Sequence, residues 1–124
     1  HSAGDIFCVF GCGGDRDTSK RPKMGKIAAM LSTKAIFTSD NPRTEKPETI
    51  IEQIEVGVEP IDYKKTLSIT DRKQAIKTAC QMAGENDIIL IAGKGHETYQ
   101  EVLGERSSFD DFKIVKELLT ALNK

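Results

Sequence analysis

Two runs constrain this chain more than any other feature: Ile6-Phe7-Cys8-Val9-Phe10 and Asp87-Ile88-Ile89-Leu90-Ile91-Ala92-Gly93. Their apolarity is continuous, where a half-exposed strand would alternate. A strand reads this way when both of its faces are covered, as in a parallel sheet with helices on either side. Lys34-Ala35-Ile36-Phe37-Thr38 and Thr66-Leu67-Ser68-Ile69-Thr70 are shorter candidates for the same sheet.

Helical patterns fall between these runs. Met24, Ile27, Ala28 and Leu31 recur at the spacing of one helix face, which predicts that this stripe is buried. Pro47 suits a first helical position, and Ile50, Ile51, Ile54 and Val58 form a stripe that Gly57 and Pro60 terminate. Asp71 and Gln74 have the spacing of a capping box ahead of a third stripe, Ala75, Ile76, Ala79, Cys80 and Ala83, closed by Gly84. Tyr99–Leu103 reads as the first arm of a hairpin turning at Gly104, and a last helix starting near Ser108 would bury Phe112, Val115, Leu119 and Leu122. The alternation predicts an α/β fold: a three-layer αβα sandwich with a Rossmann-like, mostly parallel sheet and an antiparallel edge. A length of 124 residues suits one domain over residues 1–124, with residues 1–5 read as linker or expression remnant.

Composition narrows the function classes. Positive and negative side chains nearly cancel, with net charge -1 and 30% charged residues. That balance predicts no nucleic-acid partner, which would call for a basic face. No apolar run reaches transmembrane length and the start shows no signal-peptide pattern, so the expectation is a cytoplasmic protein without a membrane partner. Cys8, Cys12 and Cys80 lack zinc-site spacing and read as free thiols of a reducing compartment; no metal site is expected.

The polar chemistry is concentrated in three clusters: Gly11–Pro22 (GCGGDRDTSKRP), Thr38–Glu45 (TSDNPRTE) and Gly93–Glu97 (GKGHE). Each follows an expected strand. In an open parallel sheet the ligand crevice lies beyond the carboxyl ends of the strands, so the three clusters are expected at one edge. The first is not a dinucleotide fingerprint: Gly11 and Gly13 match GxGxxG, but Arg16 takes the third glycine's place. GKGHE is not a Walker loop, since Lys94 is followed by Gly95 and no glycine lies five positions before Gly93.

Arg16 and Arg43 carry guanidinium groups whose paired donors match carboxylate oxygens. With Glu97 at the same edge, they would suit a ligand bearing carboxylates and an ammonium, such as a free amino acid. The competing reading pairs both arginines with local acids among Asp15, Asp17, Asp40 and Glu45. His96 has a side chain that titrates near neutrality, yet an ordinary hydrogen-bonded loop histidine fits equally, and no residue is assigned a catalytic role.

Taken in order, Gly11–Pro22, Asp40-Asn41-Pro42-Arg43 and Gly93-Lys94-Gly95-His96-Glu97 resemble the C-terminal domain of the Mur ligases, and within that family the members that add meso-diaminopimelate. The resemblance runs from about Ile6 to the end of the chain, and the DNPR and GKGHE blocks together carry it. It implies a meso-diaminopimelate site formed by Arg16, Asp40, Asn41, Pro42, Arg43, Gly93 and Glu97. Arg43 would hold the carboxylate at the distal end of the ligand, Glu97 would face the distal ammonium, and Arg16 would help bind that end. The family's first loop commonly reads DRDKGKRP, and here Thr18-Ser19 stand in place of Lys-Gly. The family also has a UDP-binding domain and a central ATPase domain, both expected to be missing from these 124 residues. The implied reaction is ATP- and magnesium-dependent ligation to UDP-MurNAc-L-Ala-D-Glu through an acyl phosphate. The chain's share would be to position the attacking amine, and alone it is expected to be inactive. Two other readings are a related ligase domain of the folylpolyglutamate synthetase type and a stand-alone metabolite-binding α/β module.

Overall fold

The computed structural model describes residues 4–15, 17–92, 99–102 and 105–108, the last two segments as backbone. Its centre is β1 (Ile6–Phe10), which pairs in parallel with β2 (Lys34–Phe37) on one side and with β4 (Ile88–Ala92) on the other. The short β3 (Thr66–Ser68) adds to the far side of β2, giving the order β3-β2-β1-β4 with every strand parallel. The antiparallel element is the hairpin β5 (Tyr99–Val102) and β6 (Glu105–Ser108), a two-stranded sheet of its own. The expected last helix lies outside the described residues.

Both faces of the sheet are covered at β1 and β2, which is why β1 carries no alternation, whereas β4 leaves Ile88 54% and Leu90 52% exposed on one face among the described residues, against the expectation of a strand covered on both sides. On one face Phe7, Val9 and Ile36 pack against Ala75, Ile76, Ala79, Cys80 and Ala83 of α3 (Arg72–Met82) and its C-terminal cap. The other face presents Phe10, Ala35 and Phe37 to Ala29 of α1 (Lys20–Leu31), to Ile50, Ile51 and Ile54 of α2 (Pro47–Glu55), and to Val58. Phe10 and Phe37, partners in the β1–β2 register, meet edge to face with centroids 6.5 Å apart. These are the three layers expected. The stripes of α2 and α3 are buried as the sequence predicts, and Pro47 opens α2. Asp71 caps α3, accepting from the backbone N–H of Lys73, whereas a capping box would engage that of Gln74. Pro60–Lys65 forms a short 3-10 turn ahead of β3 that the sequence reading did not anticipate.

The stripe on α1 is a correction. Met24, Ile27 and Leu31 are exposed, Leu31 by 72%, and the buried line is Arg21, Gly25 and Ala29. The reason is how closely α1 and α2 approach. A Cβ on Gly25 would stand 2.1 Å from the Ile54 carbonyl oxygen, so the middle of the contact line, at Gly25 and Ala29, takes small residues, Arg21 fills its N-terminal end, and the large apolar side chains fall on other flanks.

Candidate functional site

Parallel pairing puts Phe10, Phe37 and Ala92 in one row at the carboxyl edge of the sheet; the first two polar clusters leave from that row, and the third, Gly93–Glu97, lies outside the described residues. The first two are joined further out. Gly11 lies against the backbone of Thr38 and Ser39, and Gly14 lies against Pro42, where a Cβ would come within 1.8 Å of the carbonyl oxygen. The Gly14 N–H donates to the Asn41 carbonyl at 2.7 Å. Glycine at these positions is therefore a requirement of backbone-on-backbone packing.

Side chains reinforce the join. The Asp15 N–H donates to Glu45 at 2.7 Å, and the Thr44 hydroxyl and N–H both donate to the Asp15 carboxylate. Arg21, only 1% exposed, donates through both terminal nitrogens to Glu45, and also to Gln53 at 2.7 Å and to the Gly13 carbonyl at 2.8 Å. Its hydrogen bonds hold the Glu45 carboxyl below the ordinary carboxylate range, and the same bonds push the Arg21 pKa up. The Nε of Arg21 is buried with no partner among the described residues.

Within the second cluster Thr38 and Ser39 tie back to the end of β3. The Ser39 N–H and the Thr38 hydroxyl both donate to the Thr70 carbonyl, at 3.3 and 3.2 Å. Asp40, Asn41 and Pro42 are buried. Arg43 is half-buried, in the left-handed region at φ 52°, and its Nη1 donates to the carbonyls of Gly14 at 3.1 Å and Asn41 at 3.3 Å. A non-glycine residue rarely adopts such a φ, at a cost of about 1 kcal/mol or more, unless the surroundings impose it. Here the buried Pro42 before it and the carbonyls around its guanidinium do so.

A cleft of about 280 Å³ opens beside these loops, lined by Gly11, Cys12, Gly13 and Asp40 together with Asp17, Lys20, Arg21 and Met24 from the start of α1. Asp17 accepts from the N–H and hydroxyl of Ser19, which lowers its pKa. Burial pushes the Cys12 thiol up to about 11, with Arg21 opposing and Asp40 adding to the rise. A neutral thiol is a poor nucleophile. Among the described residues no group of three or more His, Cys, Asp or Glu could hold a metal ion. What the site offers is recognition: polar backbone, carboxylates and guanidinium groups at a sheet edge.

Of the residues expected at the site, Asp40, Asn41, Pro42 and Arg43 are brought together in one loop, while Arg16, Gly93 and Glu97 lie outside the described residues, as does His96. Sequence reasoning missed two residues, Arg21 and Arg72. Each sits in the first turn of a helix, where a cation opposes the helix dipole, and that misplacement was the available signal. Arg72, 1% exposed, donates to the carbonyls of Ser39 at 3.1 Å and Ala92 at 3.5 Å.

Among the described residues no helix is long and apolar enough to cross a membrane. Comparison with known proteins then places the chain. Residues 1–95 match the family model described as "Mur ligase, glutamate ligase domain". A UDP-N-acetylmuramoyl-L-alanyl-D-glutamate--2,6-diaminopimelate ligase from Cytophaga hutchinsonii is 55% identical over 98% of this chain and 25% of its own length. The ligase of the same name from Bacillus velezensis is 50% identical over 98% of the chain and 24% of its own length. A solved structure of a ligase of that name superimposes with a TM-score of 0.91 at 44% identity, over 100% of this chain and 25% of the other. The chain thus spans about a quarter of the length of the relatives it matches. On the match over residues 1–95 and these identities, the chain belongs to the Mur ligase family, as its glutamate ligase domain.

Proposed function

We propose that this domain binds meso-diaminopimelate and presents its amine for addition to UDP-MurNAc-L-Ala-D-Glu within a longer, cytoplasmic, ATP-dependent ligase. The observation that carries the reading is Arg43, held at the carboxyl edge of the sheet by buried backbone and in a conformation that an arginine adopts only under constraint. A planar fork of donors fixed in this way matches a carboxylate, and the distal carboxylate is what distinguishes diaminopimelate from lysine. The printed names of the relatives support the same ligand class. Arg16, Gly93 and Glu97 complete the proposed site, with Glu97 facing the distal ammonium.

The domain's part in the reaction is to hold the amine in place, which makes its attack effectively unimolecular. ATP and magnesium, which activate the acceptor carboxylate, are assigned to the remainder of the longer polypeptide. The described residues provide no cluster for the metal, and the reading gives them no step in that activation. Calorimetric titration of the chain with meso-diaminopimelate and with lysine tests the proposal. Binding of the first with clear preference over the second is the expected result. Equal affinity, or preference for lysine, would overturn it.

A further inference from the structure

Among the described residues two other than glycine have positive φ, Asp15 at 55° and Arg43 at 52°. They hold equivalent places on the two sides of one seam: Gly14 and Pro42, the residues just before them, are in backbone contact. The Glu45 N–H donates to the Pro42 carbonyl at 2.9 Å, closing a turn over Pro42–Glu45. Arg43 is the first central residue of that turn, and a positive φ there makes it a primed turn, where glycine, asparagine or aspartate is usual. Types I′ and II′ differ in the peptide between the two central residues, and here the N–H of that peptide belongs to Thr44. It donates to Oδ2 of Asp15 at 3.3 Å, while the Thr44 hydroxyl donates to Oδ1. In return the Asp15 N–H donates to Glu45 at 2.7 Å. Asp15 takes left-handed backbone more readily than most residues, so it can reach across the seam at little cost to itself.

We propose that Asp15 is a positioning residue for amino-acid selectivity. By holding the Arg43–Thr44 peptide it fixes the backbone conformation from which Arg43 reads the distal carboxylate of the ligand. The ligand chemistry rests on the functional reading above, and Asp15 acts on it through Arg43, without contact of its own. Two properties are needed at position 15 together: a side-chain acceptor for Thr44, and tolerance of positive φ. Alanine has neither, glycine has only the second, and asparagine has both.

The test compares Asp15→Gly with Asp15→Asn. By calorimetry on the chain, Asp15→Gly should reduce the preference for meso-diaminopimelate over lysine about 10-fold, and Asp15→Asn should keep most of it. An equal loss for the two amino acids, leaving their ratio unchanged, would overturn the proposal, because a general support of the fold acts on both. Combined with Arg43→Ala, Asp15→Gly should remove no further selectivity; full additivity would also overturn it. Should Asp15→Gly fold poorly, Thr44→Val removes the hydroxyl donor alone and should lose selectivity in the same sense, whereas Thr44→Ser should not. A second readout needs no ligand. A residue with positive φ shows a strong intraresidue NOE between its Hα and its N–H, and that of Arg43 should weaken in Asp15→Gly and persist in Asp15→Asn. Persistence in both would overturn the proposal, whatever the chain binds. Failure of the wild-type chain to bind meso-diaminopimelate would sink the functional reading, and the NOE would still decide whether Asp15 holds the conformation of Arg43.

Discussion

Both terminal nitrogens of Arg21 lie 2.9 Å from carboxylate oxygens of Glu45, so one buried guanidinium near the start of α1 grips the residue two positions before α2. The bond from Arg21 holds the Glu45 carboxyl below its ordinary value of 4.5. A depressed carboxylate means that the folded state binds fewer protons than the unfolded chain. Its stabilisation is complete above about pH 4.5 and is lost as pH falls through the folded value. Glu45→Gln should cost about 1–3 kcal/mol at neutral pH. Urea melts of wild type and variant should converge as pH drops below 4.5. A gap that stays constant down to low pH would show that the charge contributes nothing.

Gly25 sets two effects against each other. Alanine in a helix interior is favoured over glycine by about 1 kcal/mol. Its Cβ would stand 2.1 Å from the Ile54 carbonyl oxygen and 2.8 Å from Ile54 Cγ2, and a backbone oxygen cannot move without shifting α2. Overpacking of this kind costs about 1–3 kcal/mol, and a backbone clash belongs at the upper end. Gly25→Ala should therefore lower Tm despite its better helix propensity. An unchanged or raised Tm would mean that α1 and α2 separate easily.

For Arg43 the backbone and the side chain can be separated by choice of substitution. Arg43→Ala and Arg43→Gly both remove the guanidinium, but only glycine is at ease at φ 52°. In the longer ligase each should reduce kcat/KM for meso-diaminopimelate by about 10- to 150-fold, the value of a hydrogen bond to a charged group. Use of lysine should change far less. The glycine variant should be the more stable of the two by about 1 kcal/mol. Equal losses with both amino acids would make Arg43 a support of the loop and not a reader of the ligand.

Cys12 should be slow to alkylate despite lining an open cleft. Its thiol is pushed from 9.0 to about 11, chiefly by burial. Thiolate is the reactive form, so at pH 8 its population falls about 100-fold below that of an unperturbed thiol. Iodoacetamide labelling followed by mass spectrometry should find Cys12 modified rapidly only after unfolding. Rapid modification of the native chain at pH 8 would contradict the assigned environment.

The expected covering of both faces holds for β1 and not for β4, whose Ile88 and Leu90 are exposed among the described residues. The strands themselves were legible in the sequence because apolar runs of five to seven residues between turn signals mark them, and β1 and β4 fall within a residue of the expected runs. The helices α2 and α3 were legible for the same reason, their branched and small residues recurring on one face. The buried face of α1 was not. Periodicity ranks residues by size and apolarity, and the contact with α2 selects for a missing side chain at Gly25. At the site, the Asp40–Arg43 block stood out by its residue types, and the parallel sheet explained its placement. Arg21 and Arg72 stayed hidden because several of their acceptors are main-chain carbonyls, which every residue carries and no sequence pattern marks.

The contact of Gly14 with Pro42 has a consequence for anyone re-engineering specificity. With backbone against backbone, neither loop has an independent shape that could be cut out and moved. Grafting Asp40–Arg43 alone onto another scaffold would leave it without the surface that moulds it. The transferable unit is a pair of segments, Gly11–Arg21 and Thr38–Gln53, stitched by Asp15, Arg21 and Glu45. A chimera that exchanges both should inherit the recognition loop as a shape, whereas one that exchanges a single motif would inherit only its letters.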